Sequence, residues 1–119
     1  MNSTDLYQIE RSLWTNDPNI YHDSLRSDAL LLFRETGIMT RDDAVAAIRE
    51  ENRENKRWAE VRLADQRVLS PTQDTRVLNY KATARWNYDQ GHITVLCCSV
   101  YALQSGEWKL VFHQQTPTT

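Results

Sequence analysis

The stretch Val77-Leu78-Asn79-Tyr80-Lys81-Ala82-Thr83-Ala84-Arg85-Trp86-Asn87-Tyr88 carries the reading of the fold. Successive residues of a strand point to opposite faces. Leu78, Tyr80, Ala82, Ala84, Trp86 and Tyr88 then share one face, and Val77, Asn79, Lys81, Thr83, Arg85 and Asn87 share the other. The alternation predicts a strand whose first set faces inward. That set mixes large aromatics with alanines. Small residues in the middle of a concave strand leave space, and aromatics at its ends wall that space in. The pattern therefore predicts a pocket over this strand, with helix side chains filling the alanine space as the competing outcome.

The same period of two extends in both directions. Residues 58–69, 77–88, 93–103 and 108–115 read as four strands. The turns between them are 70–74 with Pro71, then Asp89-Gln90-Gly91, then Ser105-Gly106. Short links between consecutive strands predict an antiparallel meander. The first third of the chain reads differently. Leu6, Ile9 and Leu13, with Tyr7 and Trp14 beside them, repeat at helical spacing, with Ser3 or Thr4 as the cap. Asp17-Pro18 opens a second helix with Ile20, Tyr21 and Leu25 on its buried side. Residues 29–33 form a short apolar strand, and Thr36-Gly37 marks a turn. Thr40 caps a third helix whose apolar face is Ala44, Val45, Ala47 and Ile48. Helices first and strands afterwards predict an α+β class and one domain over residues 1–119. The end of the chain, 117–119, is expected to fray.

Bulk properties exclude several function classes. Net charge is −2, which leaves no basic excess for a nucleic-acid backbone or an anionic membrane. The dense charge run 49–57 mixes both signs and reads as a solvated helix end. No apolar run reaches the ~20 residues that span a bilayer, and no leader pattern opens the chain, so a cytoplasmic location is the default expectation. Cys97 and Cys98 are adjacent and point to opposite faces, so they neither staple the fold nor jointly hold a metal. His22, His92 and His113 lie on unrelated elements, and no zinc spacing, phosphate-cradling glycine loop or nucleophile motif is present; no metal and no cofactor are expected.

The last two strands carry apolar residues on both faces. Ile93, Val95, Cys97, Ser99, Tyr101 and Leu103 oppose Thr94, Leu96, Cys98, Val100 and Ala102; Trp108, Leu110 and Phe112 oppose Lys109, Val111 and His113. An oily outer face marks an interface. The expectation is a homodimer packed through Leu96, Val100, Trp108, Leu110 and Phe112.

The ending, Ser105-Gly106-Glu107-Trp108-Lys109-Leu110-Val111-Phe112-His113-Gln114-Gln115-Thr116-Pro117, resembles the last hairpin of nuclear transport factor 2-like domains. It is similar to a branch of small bacterial proteins of unknown function related to ketosteroid isomerase and the polyketide cyclases. The Gly37 turn before Thr40-Arg41-Asp42-Asp43-Ala44, and Trp14 and Asp17 before the short second helix, carry the same resemblance, which covers residues 6–117. It implies a cystatin-like cone: three N-terminal helices packed on a strongly curved antiparallel β-sheet, dimerising through the convex side. In the implied register Val111, His113 and Gln115 face the cavity with Cys97, Ser99 and Tyr101.

The expected pocket is therefore Trp14, Tyr21, Tyr80, Trp86, Cys97, Ser99, Tyr101 and His113. His113 is the candidate general base, because a neutral imidazole accepts a proton near pH 7. Tyr80 and Tyr101 would be the hydrogen-bond donors to a ligand carbonyl, or else core aromatics. The isomerase and cyclase relatives use a cavity carboxylate, and no acid stands on the inner faces of the last three strands. Asp65 faces inward unless its strand is irregular, while Asp17 and Asp28 read as a cap and a turn residue. Three functions follow as expectations. The first is a binding domain for a small apolar or amphipathic ligand. The second is a cofactor-independent isomerase, dehydratase or cyclase using His113. The third is a non-catalytic dimerisation or assembly module.

Overall fold

The computed structural model describes residues 3–118, with side chains from Leu6 onward. Helix α1, Ser3–Leu13, is followed by α2, Pro18–Ser24, and strands β1, Leu25–Phe33, and β2, Gly37–Thr40. Helix α3, Arg41–Arg53, leads into the meander β3, Trp58–Thr72; β4, Thr75–Trp86; β5, Ile93–Gln104; and β6, Glu107–Pro117. One six-stranded sheet has the order β2-β1-β6-β5-β4-β3. All neighbours are antiparallel except β1 and β6, which run parallel because the chain crosses from the first strand to the last.

Local chemistry sets the helix starts. The Asp17 side chain accepts from the Asn19 N–H at 2.9 Å, with Pro18 in the first turn. Thr40 and Asp43 form a reciprocal capping box. The proposed caps Ser3 and Thr4 lie outside the described side chains. Asn16 and Asn55 have φ of 58° just beyond α1 and α3, a conformation asparagine tolerates at helix ends. Ser105 and Gly106 both have positive φ, as the tightest hairpin turn requires.

Five register breaks bend the sheet: between Leu25 and Leu30 in β1; between Trp58 and Glu60, Ala64 and Arg67, and Leu69 and Thr72 in β3; and between Val100 and Tyr101 where β5 meets β6. The last one reverses part of β6. Tyr101 pairs with Leu110 but Val100 pairs with Phe112, so Val111 is the extra residue. Trp108 and Leu110 therefore point inward, 8% and 0% exposed, and are core residues rather than part of a convex interface. Beyond the bulge His113 faces inward and Phe112 outward, as the implied register requires, but Val111 does not join the cavity wall.

Other expectations are corrected in the same way. Asp65 sits at the β3 bulge with φ of 56° and is exposed. Asp28 is a strand residue, paired with Arg26 at 2.6 Å, and not a turn residue. The 70–74 turn narrows to Gln73-Asp74, since β3 continues through Pro71 to Thr72. The end of the chain is pinned as far as Thr118, whose N–H reaches the Thr94 carbonyl at 3.1 Å.

The core lies between the helices and the concave side of the sheet. Leu78, Ala82 and Ala84 are fully buried, and Leu6, Leu13, Leu25 and Leu31 close over them. Each leucine buried to this extent contributes about 1.5–3 kcal/mol. The Tyr7 hydroxyl lies 2.8 Å from both the Arg67 and Asn79 carbonyls, which ties α1 to the edge of the β3 bulge. On the convex side, Leu30, Phe112, Val100, Val77 and Leu69 line up in register across β1, β6, β5, β4 and β3. No helix among the described residues is long and apolar enough to cross a membrane.

Candidate functional site

Helix α1 delivers the central polar residue. Glu10 lies one helical turn from Leu6, Tyr7, Leu13 and Trp14, so it shares their buried face, and it is 0% exposed. A carboxylate taken out of water needs donors. Its Oε1 accepts from the Tyr80 hydroxyl at 2.6 Å and from the Ser99 hydroxyl at 2.8 Å, and its Oε2 accepts from the Tyr101 hydroxyl. The Trp14 indole N–H donates to the Tyr80 oxygen at 3.1 Å. Alternation on β4 and β5 aims these hydroxyls at α1, since Tyr80, Ser99 and Tyr101 are all inward positions.

A chain of hydrogen bonds runs on from Ser99. Its single proton goes to Glu10, so its contact with His113 Nδ1, 2.7 Å, is made by the Nδ1–H donating. His113 Nε2 is then the lone-pair side, and the Gln115 amide donates to it at 3.1 Å. Nδ1 itself lies 3.9 Å from Glu10 Oε1, so the imidazole is held to the carboxylate through Ser99. Burial holds the His113 pKa below its ordinary value, with the Glu10 charge opposing that shift. The imidazole is neutral at pH 7. Burial first, and then the Glu10 charge, push the Tyr80 and Tyr101 hydroxyls well above 10, so they act as donors. Burial pushes the Cys97 thiol up to about 12. A thiol so raised is not a nucleophile at neutral pH.

Beside this closed network lies a cavity of about 500 Å³. Of the residues expected there, Trp14, Tyr21, Tyr80, Trp86 and His113 line it. Ser99 and Tyr101 stand behind the lining and reach it through Glu10 and His113. Cys97 is buried outside the lining. One wall is an aromatic ladder. Trp14 and Trp58 have ring centroids 5.2 Å apart, Trp58 stacks on Trp86 at 3.8 Å, and Trp86 stacks on Tyr88 at 5.7 Å. Exposed lining residues, Glu35, Thr36, Tyr88 and Asp89, mark the mouth. Among the described residues, no group of three His, Cys, Asp or Glu side chains is arranged to hold a metal ion.

Sequence reasoning weighed acids on the strands and at Asp17 and Asp28, and missed Glu10 on α1. The signal was its place at the middle of the α1 apolar stripe, where a charge is out of pattern. Trp58 and Glu51 were also missed as wall residues; one opens β3 and the other closes α3.

No family model matches this chain, and no curated protein does. Solved structures do. An NTF2-like protein of unknown function in nutrient uptake from Rhodospirillum rubrum aligns with a TM-score of 0.85 at 18% identity, over 100% of both chains. An NTF2-like protein from Cytophaga hutchinsonii aligns with a TM-score of 0.80 at 21% identity, over 98% of this chain and 99% of that one. A ketosteroid isomerase-like protein from Parabacteroides distasonis aligns with a TM-score of 0.78 at 13% identity, over 96% and 86%. The three helices, the bent six-stranded sheet and these neighbours together identify the chain as having the nuclear transport factor 2-like cone fold.

Proposed function

We propose that the chain is a small-molecule-binding domain whose cavity takes a flat, amphipathic ligand. The observation that carries this reading is the cavity itself: about 500 Å³, walled by Trp14, Trp58 and Trp86, with His113 at its polar side. Pockets of this size with an apolar wall and a few placed polar groups suit such ligands. The ring system lies against the ladder, and one hydroxyl of the ligand donates to His113 Nε2 in place of the Gln115 amide. Calorimetric titration with 2-naphthylmethanol tests the anchor. Saturable binding is expected, weakened by about fivefold to tenfold in His113→Ala, the value of one hydrogen bond. An unchanged affinity in that variant contradicts it.

The protein acts as a homodimer in this reading. The row Leu30, Phe112, Val100, Val77 and Leu69 is apolar across five strands, Leu96 lies four residues along β5 on the same face, and Leu30, Leu69 and Leu96 are 45%, 62% and 53% exposed. A row of this extent on one sheet face favours a partner sheet. Sedimentation velocity should give a two-chain mass at micromolar concentration and a one-chain mass for Leu96→Asp. A one-chain mass for the unaltered protein refutes the dimer. An assembly role alone gives no reason for a tryptophan-walled void, so dimerisation accompanies binding here and does not replace it.

A second reading, proton transfer by His113, is favoured by one arrangement: Nδ1 is held by Ser99 and Glu10 while neutral Nε2 is its lone-pair side. A base so oriented suits a cofactor-independent isomerase, dehydratase or cyclase. Protein-dependent deuterium exchange at the methyl group of 2-acetonaphthone, lost in His113→Gln, is its expected signature. Exchange no faster than in buffer refutes it for this substrate class.

A further inference from the structure

The charge balance of the cavity wall narrows the ligand class. Among the described residues, the lining contains Glu10, Glu35, Glu51 and Asp89 but no lysine or arginine. Its histidine is held neutral by burial. An anionic ligand would thus lose its hydration and meet no cationic side chain in the lining, since Lys56 at the mouth is already paired with Glu54. A cation meets two kinds of partner. The first is the ladder of Trp14, Trp58 and Trp86: Trp58 and Trp86 cover one face of each other, and a ring face left open to the cavity attracts an ammonium group. The fold already places one there: Lys56 Nζ stands 5.6 Å from the centroid of Tyr88, the outermost ring of the same ladder. The second is Glu51. Glu10 is fully engaged by three hydroxyls, but the one side-chain hydrogen bond to Glu51 is a 3.4 Å contact from the Asn16 amide. Loss of hydration raises the Glu51 pKa, and Lys56, whose charge opposes that shift, is held by Glu54 at 2.7 Å.

We propose that the cavity selects a cationic amphiphile, an ammonium group on a flat apolar body, with the ammonium seated between the tryptophan ladder and Glu51. The proposal rests on the reading of the cavity as a ligand site, and it adds the sign of charge that site prefers. It predicts discrimination among molecules of one shape that differ only in their polar group.

Calorimetric titration of the full chain at pH 7 with 2-naphthylmethylammonium, 2-naphthylmethanol and 2-naphthoate reads this directly. The ammonium should bind about tenfold more tightly than the alcohol, and the carboxylate most weakly. Glu51→Gln should cut the preference for ammonium over alcohol to about threefold. If the carboxylate binds as tightly as the ammonium, the charge proposal is overturned and the binding site stands. If none of the three binds, both are overturned. If Glu51→Gln leaves the preference intact, the assignment of the ammonium to Glu51 is overturned.

Discussion

The two ends of the cavity are built on opposite principles. At the closed end, Glu10, Tyr80, Ser99, Tyr101 and His113 are all 5% exposed or less, and each hydroxyl of the group has a partner. At the open end, Trp58, Trp86 and Tyr88 are partly exposed rings, and Glu51 has one long hydrogen bond. A saturated polar network is rigid, and breaking it strands several groups at once. An aromatic wall beside a void tolerates change, because its rings already touch solvent on one side. On the proposed reading of the cavity, conformation is held at the closed end and ligand preference is set at the open one.

Substitutions that respect this division should differ sharply in cost. Glu10→Ala removes the acceptor of three buried hydroxyls and should lower unfolding free energy by about 3–5 kcal/mol. Glu51→Gln, at the open end, should change it by less than about 0.5 kcal/mol. Urea denaturation of both variants measures the contrast, and equal losses would erase it. The next effect tests which way β6 faces. Leu110→Ala should cost about 3 kcal/mol as an enclosed leucine, whereas Leu96→Ala, 53% exposed, should cost under about 0.5 kcal/mol in a single chain. The reverse ranking would place the bulge elsewhere.

Those variants also mark what the sequence alone makes legible. The alternation identified the inner face of β4 correctly as far as Trp86, because alanines and aromatics sit on one side and charged residues on the other; Tyr88 lies beyond the strand and is 60% exposed. In β6 both faces are apolar, so alternation alone could not locate the extra residue at Val111, and Trp108 and Leu110 were assigned to the wrong side. Strand β2 has four residues and one partner, too short for a periodic signal. The parallel contact of β1 with β6 joins residues some eighty positions apart, which no local pattern encodes. Glu10 was legible in principle as a charge inside an apolar helical stripe, but its need for Tyr80, Ser99 and Tyr101 emerges only when α1 is laid on the sheet.

A smaller effect comes from protonation at the closed end. The His113 pKa lies below 6.5 in the folded state because burial disfavours the imidazolium. Below pH 6.5 the unfolded chain therefore binds more protons than the folded one, and stability falls as pH drops from 6.5 toward the folded-state pKa. One proton gives a slope of at most about 1.4 kcal/mol per pH unit. Stability curves between pH 7.5 and 5 should show this loss, and His113→Gln should flatten it. An identical slope in the variant would assign the titration to other groups.

Nuclear magnetic resonance titration of the labelled protein with 2-naphthylmethanol tests the central claim most directly, since it shows where a ligand sits. Saturable shifts of the Trp14 and Trp58 indole N–H signals and the His113 ring are expected, with Leu96 and Phe112 unmoved. Shifts confined to the Leu96 and Phe112 face, or no saturable shift at all, would contradict it.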